Sequence, residues 1–282
     1  VTAPVAGEDF SAIVPGCIVK YVTKTKSGYV VVINKAASDI TQGASIYYST
    51  TWDSGYTKVL DLDLGVNAIS CNFYNGDVQQ IGLIGEYTQK LNTPHKLYIT
   101  TDGGATWRMA KATVVTDPTK SCHWHCAMYD PYNGRVYAAC GDGANRHLFE
   151  SRDLGVTWSE ITVTDNTYGL DNVIPDIQPV CLIPQANKIT VIPDATVHPG
   201  IWSLLKDRDY IATPGTENWT AQHELTVNDA YDAGVYFAGC PYAQAGEESY
   251  ILYNMPSSSS VREIIVVGTG DGGNSWHKVW SY

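Results

Sequence analysis

The sequence has little methionine, little phenylalanine and no long apolar run. Three Met and four Phe occur among 282 residues, and no segment approaches the roughly 20 apolar residues that a membrane-spanning helix needs. No segment shows the periodicity of an amphipathic helix either. The aromatic residues are instead 19 Tyr and eight Trp, which favour β-strands and polar, sugar-facing surfaces over helical bundles.

Positive charge is also scarce. The 18 Lys and Arg residues are outnumbered by 29 Asp and Glu residues, so the net charge is −11. Because this field repels phosphate groups, we do not expect nucleic acid as a partner, and the lack of apolar runs argues against membrane insertion. The chain begins at Val1 and shows no signal-peptide pattern, so we expect a processed protein or a piece of a larger one.

Four short segments, called octets below, repeat one pattern: Asp, then Gly two places on, then Thr or Ser two further. They are STTWDSGYTK (49–58), TTDGGATW (100–107), SRDLGVTW (151–158) and GTGDGGNSW (268–276), with aspartates Asp53, Asp102, Asp153 and Asp271. We predict a turn between antiparallel strands, in which Asp accepts backbone hydrogen bonds, Gly takes positive φ and Trp packs on the neighbouring unit. A calcium or ligand loop is the less favoured alternative, because the carboxylate has local partners.

Two further series of residues have the same period. Five cysteines, spaced 54, 55, 55 and 59 residues apart, lie in apolar stretches: Cys17, Cys71, Cys126, Cys181 and Cys240. Polar residues end the next β-like run of each unit: Asn34, Glu86, Asp142, Asp194 and Asn254. A degenerate octet, with Asp207 and Trp219 as remnants, fills the gap between the third and last octets. Together the three series define five units of about 55 residues.

Each unit has the pattern of four short strands, rich in β-branched and aromatic residues and separated by Gly, Asn, Pro and Asp. We therefore predict an all-β fold, a five-bladed β-propeller of four-stranded antiparallel blades, in a single domain over residues 1–282. The predicted blades cover approximately residues 10–64, 65–116, 117–168, 169–228 and 229–282.

The segments DGGATW, DLGVTW and DGGNSW resemble the Asp-box, or BNR, repeats of the sialidase-like propeller superfamily. The resemblance implies a propeller and leaves the activity open, because such repeats occur in sialidases, other glycosidases, lyases, receptors and phage tail proteins. The sequence has no Arg-Ile-Pro motif of the kind that true sialidases carry, so we do not expect a true sialidase. In character the chain is most similar to five-bladed propeller domains of tailed-phage receptor-binding and tail proteins.

This resemblance implies a carbohydrate-recognition propeller that binds a host cell-surface glycan or cell-wall polysaccharide. We expect it to be the receptor-binding domain of a phage tail or bacterial surface protein, within a larger oligomeric tail protein. Its expected location is the virion tail or the cell surface. The alternative is a glycoside hydrolase or polysaccharide lyase that acts at the mouth of the central channel.

The chain has seven cysteines, and the five at the repeat position would point around a channel rather than toward one another. We therefore predict buried thiols and folding in a reducing cytosol. A disulfide between Cys122 and Cys140, or a soft-metal site that includes Cys126, is the open alternative.

The third unit carries the candidate site. His123 and His125 alternate along one strand and so share a face, and Asp142 closes the next strand. Such a group can bind a sugar hydroxyl, perform acid–base chemistry or hold a metal, but spacing places no third histidine, so we predict neither a metal nor a cofactor. The predicted ligand-binding residues are His123, His125, Asp142, Glu86, Asp194, Asn34, Asn254, Tyr87, Tyr129 and His147.

Three carboxylates are the catalytic candidates if the protein is an enzyme, and we expect them at matching heights around the channel mouth: Glu86, Asp142 and Asp194. A glycosidase needs a carboxyl pair about 5–5.5 Å apart for retention or about 6.5–9.5 Å apart for inversion, whereas a lyase could use a histidine with a Tyr. The alternative role for the strand-end residues is capping of loops. Further candidates for sugar stacking are Trp124, Trp202 and Tyr242.

Overall fold

A computed structural model describes the following residues: 17–35, 43–63, 66–87, 93–114, 123–142, 145–165, 172, 174–193, 201–205, 219–225, 236–237, 249–256, 262–270, 275 and 277–281. Several residues singled out in the sequence lie outside these ranges: Cys122, Asp194, Asp207, Cys240, Tyr242 and Asp271. The backbone of Asn254 is described, but its side chain is not. Within the described ranges, no helix has the length and apolar character needed to cross a membrane.

The described strands form five sheets, numbered here in chain order. Sheet one contains β1 (Cys17–Lys24), β2 (Tyr29–Lys35), β3 (Ser45–Ser49) and β4 (Thr57–Asp61). Sheet two contains β5 (Asn67–Asn75), β6 (Gln80–Tyr87), β7 (Pro94–Thr100) and β8 (Arg108–Val114). Sheet three contains β9 (Trp124–Asp130), β10 (Arg135–Cys140), β11 (His147–Ser151) and β12 (Ser159–Glu160).

Sheet four has one additional strand. Its antiparallel part is β14 (Pro179–Pro184), β15 (Lys188–Pro193), β16 (Ile201–Leu205) and β17 (Trp219–Leu225), and β13 (Val163–Asp165) adds parallel to β17 at the outer edge. Sheet five contains β18 (Tyr236–Phe237), β19 (Ser249–Pro256), β20 (Arg262–Thr269) and β21 (His277–Ser281). Four consecutive antiparallel strands per sheet confirm the predicted organisation of the repeat unit.

One short helix departs from the prediction of no helix. It is α1 (Ile174–Ile177), a single turn that precedes β14. A turn this short has no 3.6-residue periodicity to detect, so the sequence pattern could not reveal it. Gln178, which follows the turn, has a positive φ of 40° and is the residue before Pro179.

The core lies between consecutive sheets. Buried clusters join sheets one and two (Ile46 with Ile84), sheets two and three (Leu83 with Val136), and sheets three and four (Tyr137 with Val191). The second strands β10 and β15 are buried at every residue, because neighbouring sheets cover both of their faces. Trp124 and Trp202 belong to these clusters and are fully buried, so the interpretation of these two rings as sugar-stacking surface is wrong.

The octets connect the third and fourth strands of their sheets, as predicted. In the third sheet, Asp153 accepts hydrogen bonds from the Thr157 amide (2.8 Å) and the Thr157 hydroxyl (2.6 Å). Asp102 holds Thr106 in the same way, at 3.0 and 2.6 Å. The Gly155 residue has a φ of 83°, which glycine adopts without the steric cost that a Cβ brings.

The tryptophans of the octets in sheets two and three pack toward the preceding sheet. The Trp158 indole donates to the carbonyl of Ala110 on β8 at 2.9 Å, and Trp107 packs edge-on against Phe73 of its own sheet and joins the cluster between sheets one and two. Packing of this kind fixes each turn to its neighbour, so the octets contribute to the fold.

The octet of sheet one is out of register with the others, so the prediction for Asp53 is wrong. Seven residues separate the flanking strands here as in sheets two and three, and counting from the strand end places Thr51, rather than Asp53, at the aspartate position. The Thr51 amide donates to Ser49 Oγ at 3.1 Å, just as the Asp153 amide donates to Ser151 Oγ at 3.4 Å. Asp53 accepts only a 3.3 Å bond from Ser54 among the bonds seen here.

The cysteine series is partly in register. A β-bulge interrupts β5 at Ser70–Cys71, β9 before Cys126 and β14 before Cys181, so these three cysteines share one position. In β1 the residue that follows the bulge is Tyr21. Cys17 lies four residues before Tyr21 and pairs with Lys35. The prediction that Cys17 shares the position is therefore wrong. The cysteines that the structure describes are thiols: Cys17, Cys71, Cys126, Cys140 and Cys181.

Candidate functional site

Three side chains meet where β9 begins and β10 ends, and we call them the histidine–aspartate cluster: His123, His125 and Asp142. The His125 Nε2 atom lies 3.0 Å from Asp142 Oδ1, and the His123 Nε2 atom lies 3.5 Å from Asp142 Oδ2. The two imidazole rings are 4.6 Å apart between centroids. The sequence correctly predicted that these three residues lie together.

A β-bulge at His125 sets this geometry. Ala139 pairs with Cys126 and Cys140 pairs with Trp124, so no residue of β10 lies opposite His125. A bulge leaves one residue unpaired and changes the direction of its side chain. Sheets one and four have their bulges at the same point, on Lys20 and Val180, but a histidine stands there in sheet three.

The two neighbouring sheets complete the walls of the site. The Tyr87 ring, from the end of β6, lies 4.1 Å from the His123 ring between centroids. On the other side, the amide nitrogen of Gln178 donates to Asp142 Oδ1 at 3.1 Å and lies 3.5 Å from His125 Nε2. The site therefore combines side chains from sheets two, three and four.

The electrostatics of the site differ between its depth and its opening. Burial, together with the neighbouring His125, lowers the pKa of His123 to about 4 although Asp142 acts in the opposite direction. At neutral pH the His123 ring is therefore neutral. The His123 side chain is only 2% exposed, whereas the Asp142 side chain is 38% exposed. A carboxylate thus faces solvent above a buried, uncharged imidazole.

Glu86 does not join this cluster. It is fully buried and accepts a hydrogen bond from the Lys96 amide at 2.7 Å and another from the Tyr98 hydroxyl at 3.4 Å. Burial raises the pKa of the Glu86 carboxyl above its usual value, against the opposing effect of the Lys96 amide. Glu86 therefore accepts hydrogen bonds from its own sheet, which agrees with loop capping, the alternative role for the strand-end residues.

A shift of one residue explains why Glu86 and Asp142 differ. Glu86 lies opposite Ala68, and the residue opposite the matching His123 is Gly141, whose amide donates to the His123 carbonyl at 3.1 Å. Asp142 is therefore one residue beyond the position of Glu86, and one step along a strand turns the side chain to the other face. The expectation that Glu86 and Asp142 lie at matching heights is wrong.

The other predicted residues lie away from the cluster. Asn34 bridges to sheet two, where its side chain accepts from the Ala68 amide at 2.9 Å and donates to the Ala68 carbonyl at 3.3 Å. Tyr129, at the opposite end of β9, donates to Gln79 at 2.8 Å. His147 lies beside Glu160 of the outer strand, with 2.7 Å between Nδ1 and the carboxylate.

Two residues of the site were missed by the sequence analysis. Gln178 lies three residues before Cys181, just as His123 lies three before Cys126. The residue three places before each cysteine of the series is therefore a candidate, and that rule would have found Gln178. His95 is buried next to the cluster, where its charge would further lower the pKa of His123, and no spacing in the sequence points to it.

Solved structures share this fold, although no family model matches the sequence and no curated protein gives a significant match. The chain is similar to a GH74 xyloglucanase from Xanthomonas campestris, with TM-score 0.53 and 12% identity over 98% of this chain and 47% of that one. A mutant of NanB sialidase from Streptococcus pneumoniae gives TM-score 0.56 and 9% identity over 94% and 61%. The SapL1 lectin, in complex with α-methyl fucoside, gives 0.52 and 10% over 93% and 79%.

These similarities define the fold class. The neighbours are β-propellers, and this chain is a nearly all-β protein of the same propeller class. Identities this low show the fold and carry no activity with them. The chain spans about half the length of the xyloglucanase and less than two thirds of that of the sialidase.

Proposed function

We propose that this chain is a carbohydrate-binding β-propeller whose sugar site is the histidine–aspartate cluster with Tyr87 and Gln178. Sugar hydroxyls both donate and accept hydrogen bonds, so they need a site that offers both. Asp142 supplies acceptors, Gln178 supplies an amide that donates and accepts, and the neutral His123 imidazole has one donor and one acceptor nitrogen. Tyr87 adds an aromatic ring next to these polar groups.

One observation carries this proposal: the exposure and support of Asp142. Its carboxylate faces solvent, yet His125 at 3.0 Å and Gln178 at 3.1 Å hold it from two different sheets. A carboxylate fixed in this way has spare acceptor capacity and loses little side-chain freedom when a ligand binds. Each hydrogen bond that it makes to a sugar would contribute about 1.5–3 kcal/mol.

Binding without cleavage is favoured over glycoside hydrolysis. A hydrolase of the usual kind needs two carboxyl groups at the reacting bond. Glu86 is the other catalytic candidate that the structure describes, and its side chain is buried with its oxygens facing Lys96 and Tyr98. Asp142 cannot pair with Glu86 across a substrate in this arrangement.

A polysaccharide lyase is the second candidate, and the state of His123 favours it. A lyase needs a neutral base beside the sugar carbon that loses its proton, and a neutral imidazole meets this need. His123 is neutral above about pH 4 and contacts the Tyr87 ring. Tyr87 would then be the group that protonates the leaving oxygen.

The biological setting of the proposal follows from the sequence resemblance. We propose that residues 1–282 form one domain, that the five sheets are five blades, and that the octets are Asp-box turns. The ligand would be a host cell-surface glycan or cell-wall polysaccharide. The chain would belong to an oligomeric phage tail or bacterial surface protein, folded in a reducing cytosol and located in the virion tail or at the cell surface.

A glycan array that includes bacterial cell-wall polysaccharides, followed by mass analysis of the bound glycans, tests this proposal. We expect binding of a hydroxyl-rich neutral or cationic glycan with unchanged mass. His125→Ala and Asp142→Ala should weaken binding at least about 10-fold, the loss of one charge-assisted hydrogen bond. His277→Ala, a change at an exposed histidine of β21, should bind as wild type.

Three results would decide against parts of the proposal. Shortened or unsaturated products would replace the binding function by hydrolysis or by lyase chemistry, respectively. Wild-type affinity of folded His125→Ala and Asp142→Ala proteins would move the sugar site elsewhere. Absence of any glycan bound above background would reject the carbohydrate proposal itself.

A further inference from the structure

The geometry points to a function of the histidine–aspartate cluster that is independent of sugar binding: we propose that His123, His125 and Asp142 bind one divalent transition-metal ion such as Zn²⁺. One ligand atom from each residue lies within 4.8 Å of the other two. In the part of the chain that the structure describes, no other group of three His, Cys, Asp or Glu residues converges in this way.

The distances fit a tetrahedral ion. Zinc ligands lie about 2.0–2.2 Å from the metal, so two ligand atoms of one tetrahedron are about 3.3–3.6 Å apart. The His123 Nε2–Asp142 Oδ2 distance of 3.5 Å falls in that range, and the His125 Nε2–Asp142 Oδ1 distance of 3.0 Å is slightly shorter. The two distances involve different oxygens of Asp142, so the carboxylate presents one oxygen to each imidazole, and one ligand atom of each residue lies within 4.8 Å of the other two.

The backbone holds the ligands in place before a metal arrives. His123 directly precedes β9, and the bulge at His125 turns the His125 side chain so that the two rings lie 4.6 Å apart between centroids. Gly141 takes a φ of 99°, which places Asp142 beyond the end of β10 and turned toward the two rings. Gln178 donates to Asp142 at 3.1 Å, and support of a ligand by a neighbouring hydrogen bond strengthens metal sites.

The donor set selects the kind of ion. Two imidazole nitrogens and one carboxylate suit Zn²⁺, Co²⁺ and Ni²⁺, whereas Ca²⁺ and Mg²⁺ prefer oxygen ligands alone. Three protein ligands leave a fourth position for water or a ligand hydroxyl. The sequence analysis grouped these three residues but predicted no metal, because spacing places no third histidine; here the third ligand is a carboxylate.

The test is titration of chelator-treated protein with Zn²⁺ by calorimetry and with Co²⁺ by visible absorption, without any glycan. We expect one equivalent of either ion per chain and the d–d bands of tetrahedral Co²⁺. Loss of a hydrogen bond that supports a ligand costs about 10–100-fold in affinity, so loss of a ligand should cost at least that much. His125→Ala and Asp142→Asn should therefore weaken Zn²⁺ binding by at least about 100-fold.

His277→Ala is the matched control and should keep wild-type stoichiometry and affinity. Asp142→Asn retains the shape of the side chain, so it keeps the test informative if His125→Ala fails to fold, as judged by circular dichroism. The inference is overturned if wild type binds no stoichiometric Zn²⁺ or if Asp142→Asn binds as wild type does. A glycan array repeated after chelation separates this inference from the sugar proposal, because either can fail while the other stands.

Discussion

Glu86 and Asp142 both lie at the end of the second strand of their sheets, yet their carboxylates lie in opposite environments. Glu86 is buried and accepts hydrogen bonds from Lys96 and Tyr98 of its own sheet. Asp142 faces solvent and contacts His125 of its own sheet and Gln178 of the next one. The comparison teaches that a shift of one residue at a strand end separates a carboxylate that stabilises the fold from one that forms a site.

A single glycine underlies this difference. Gly141 occupies the place opposite His123 that Glu86 occupies opposite Ala68, and its positive φ of 99° is disfavoured for other residues. Asp142 therefore falls one residue later and on the other face. Mutation can therefore show whether a given polar residue belongs with Glu86, as part of the fold, or with Asp142, as part of the site.

The largest expected effect is that of Glu86→Ala on stability. The change leaves the part-buried Lys96 amide and the buried Tyr98 hydroxyl without their acceptor, and an unsatisfied buried donor costs about 1–3 kcal/mol. We expect the free energy of unfolding to fall by about 2–4 kcal/mol, measured by urea denaturation at pH 7. Zn²⁺ and glycan affinity should not change.

Glu86→Gln is the matched control, and it tests the pH dependence. The amide oxygen of Gln can still accept from Lys96, so we expect a loss of less than about 1 kcal/mol at pH 7. Because the folded-state pKa of Glu86 is raised above 4.5, its contribution to stability is fully present below pH 4.5 and is lost as pH rises through the folded pKa. As pH rises from 4.5 through the folded pKa, the free energy of unfolding of wild type should therefore fall relative to that of Glu86→Gln. A constant difference between the two proteins would show that Glu86 is solvated like an ordinary surface acid.

The sequence predicted the fold better than the site, and the reason is physical. The octets, cysteines and strand-end residues recur because every sheet must make the same turns and bury the same faces, so their pattern survives in the sequence. The site depends on the bulge at His125 and on the one-residue shift at Asp142. A bulge or a shift changes which side chains meet without changing residue types, so spacing alone placed Glu86 beside Asp142 and missed Gln178.

The next effect in size concerns Asn34, which we place with Glu86 as part of the fold. Its amide makes two hydrogen bonds to the backbone of buried Ala68 on sheet two. Asn34→Ala should lower the free energy of unfolding by about 1–3 kcal/mol, because both Ala68 groups lose their partner. Glycan and Zn²⁺ binding should match wild type. A loss of binding in a protein of unchanged stability would move Asn34 into the site.

Gln178 should behave in the opposite way. Its φ of 40° is costly for a residue with a Cβ, and its side chain supports Asp142. In Gln178→Gly, relief of backbone strain offsets the lost hydrogen bond, so stability should change by less than about 1 kcal/mol. Glycan affinity should fall about 3–10-fold, the value of one hydrogen bond.

Gln178→Ala is the comparison variant, because it removes the amide and keeps the strain. It should show the same loss of affinity as Gln178→Gly and should be less stable by about 1 kcal/mol. Equal affinity of wild type and both variants in a glycan titration would show that Gln178 belongs with the fold.

The smallest expected effect is at Asp153, whose carboxylate is satisfied within its own turn. Burial opposes ionisation, but the hydrogen bonds from Thr157, and then from Ser151 and Val156, together outweigh it and lower the pKa of Asp153 to about 2 from 3.8. Because the folded pKa is depressed, its contribution to stability is present above pH 3.8 and is lost as pH falls through about 2. The side chain is exposed, so solvent screening keeps this contribution small.

Asp153→Asn should therefore lower the free energy of unfolding by less than about 1 kcal/mol at pH 7, and its stability should decline less than that of wild type between pH 3.8 and about 2. Urea denaturation across that range measures both effects. Asp53→Asn is the matched control and should change nothing, because Asp53 lies two residues out of register and, among the residues that the structure describes, accepts a hydrogen bond from Ser54 alone, at 3.3 Å. Equal losses in the two variants would mean that the turn depends on an Asp in the sequence pattern rather than on its register with the strands.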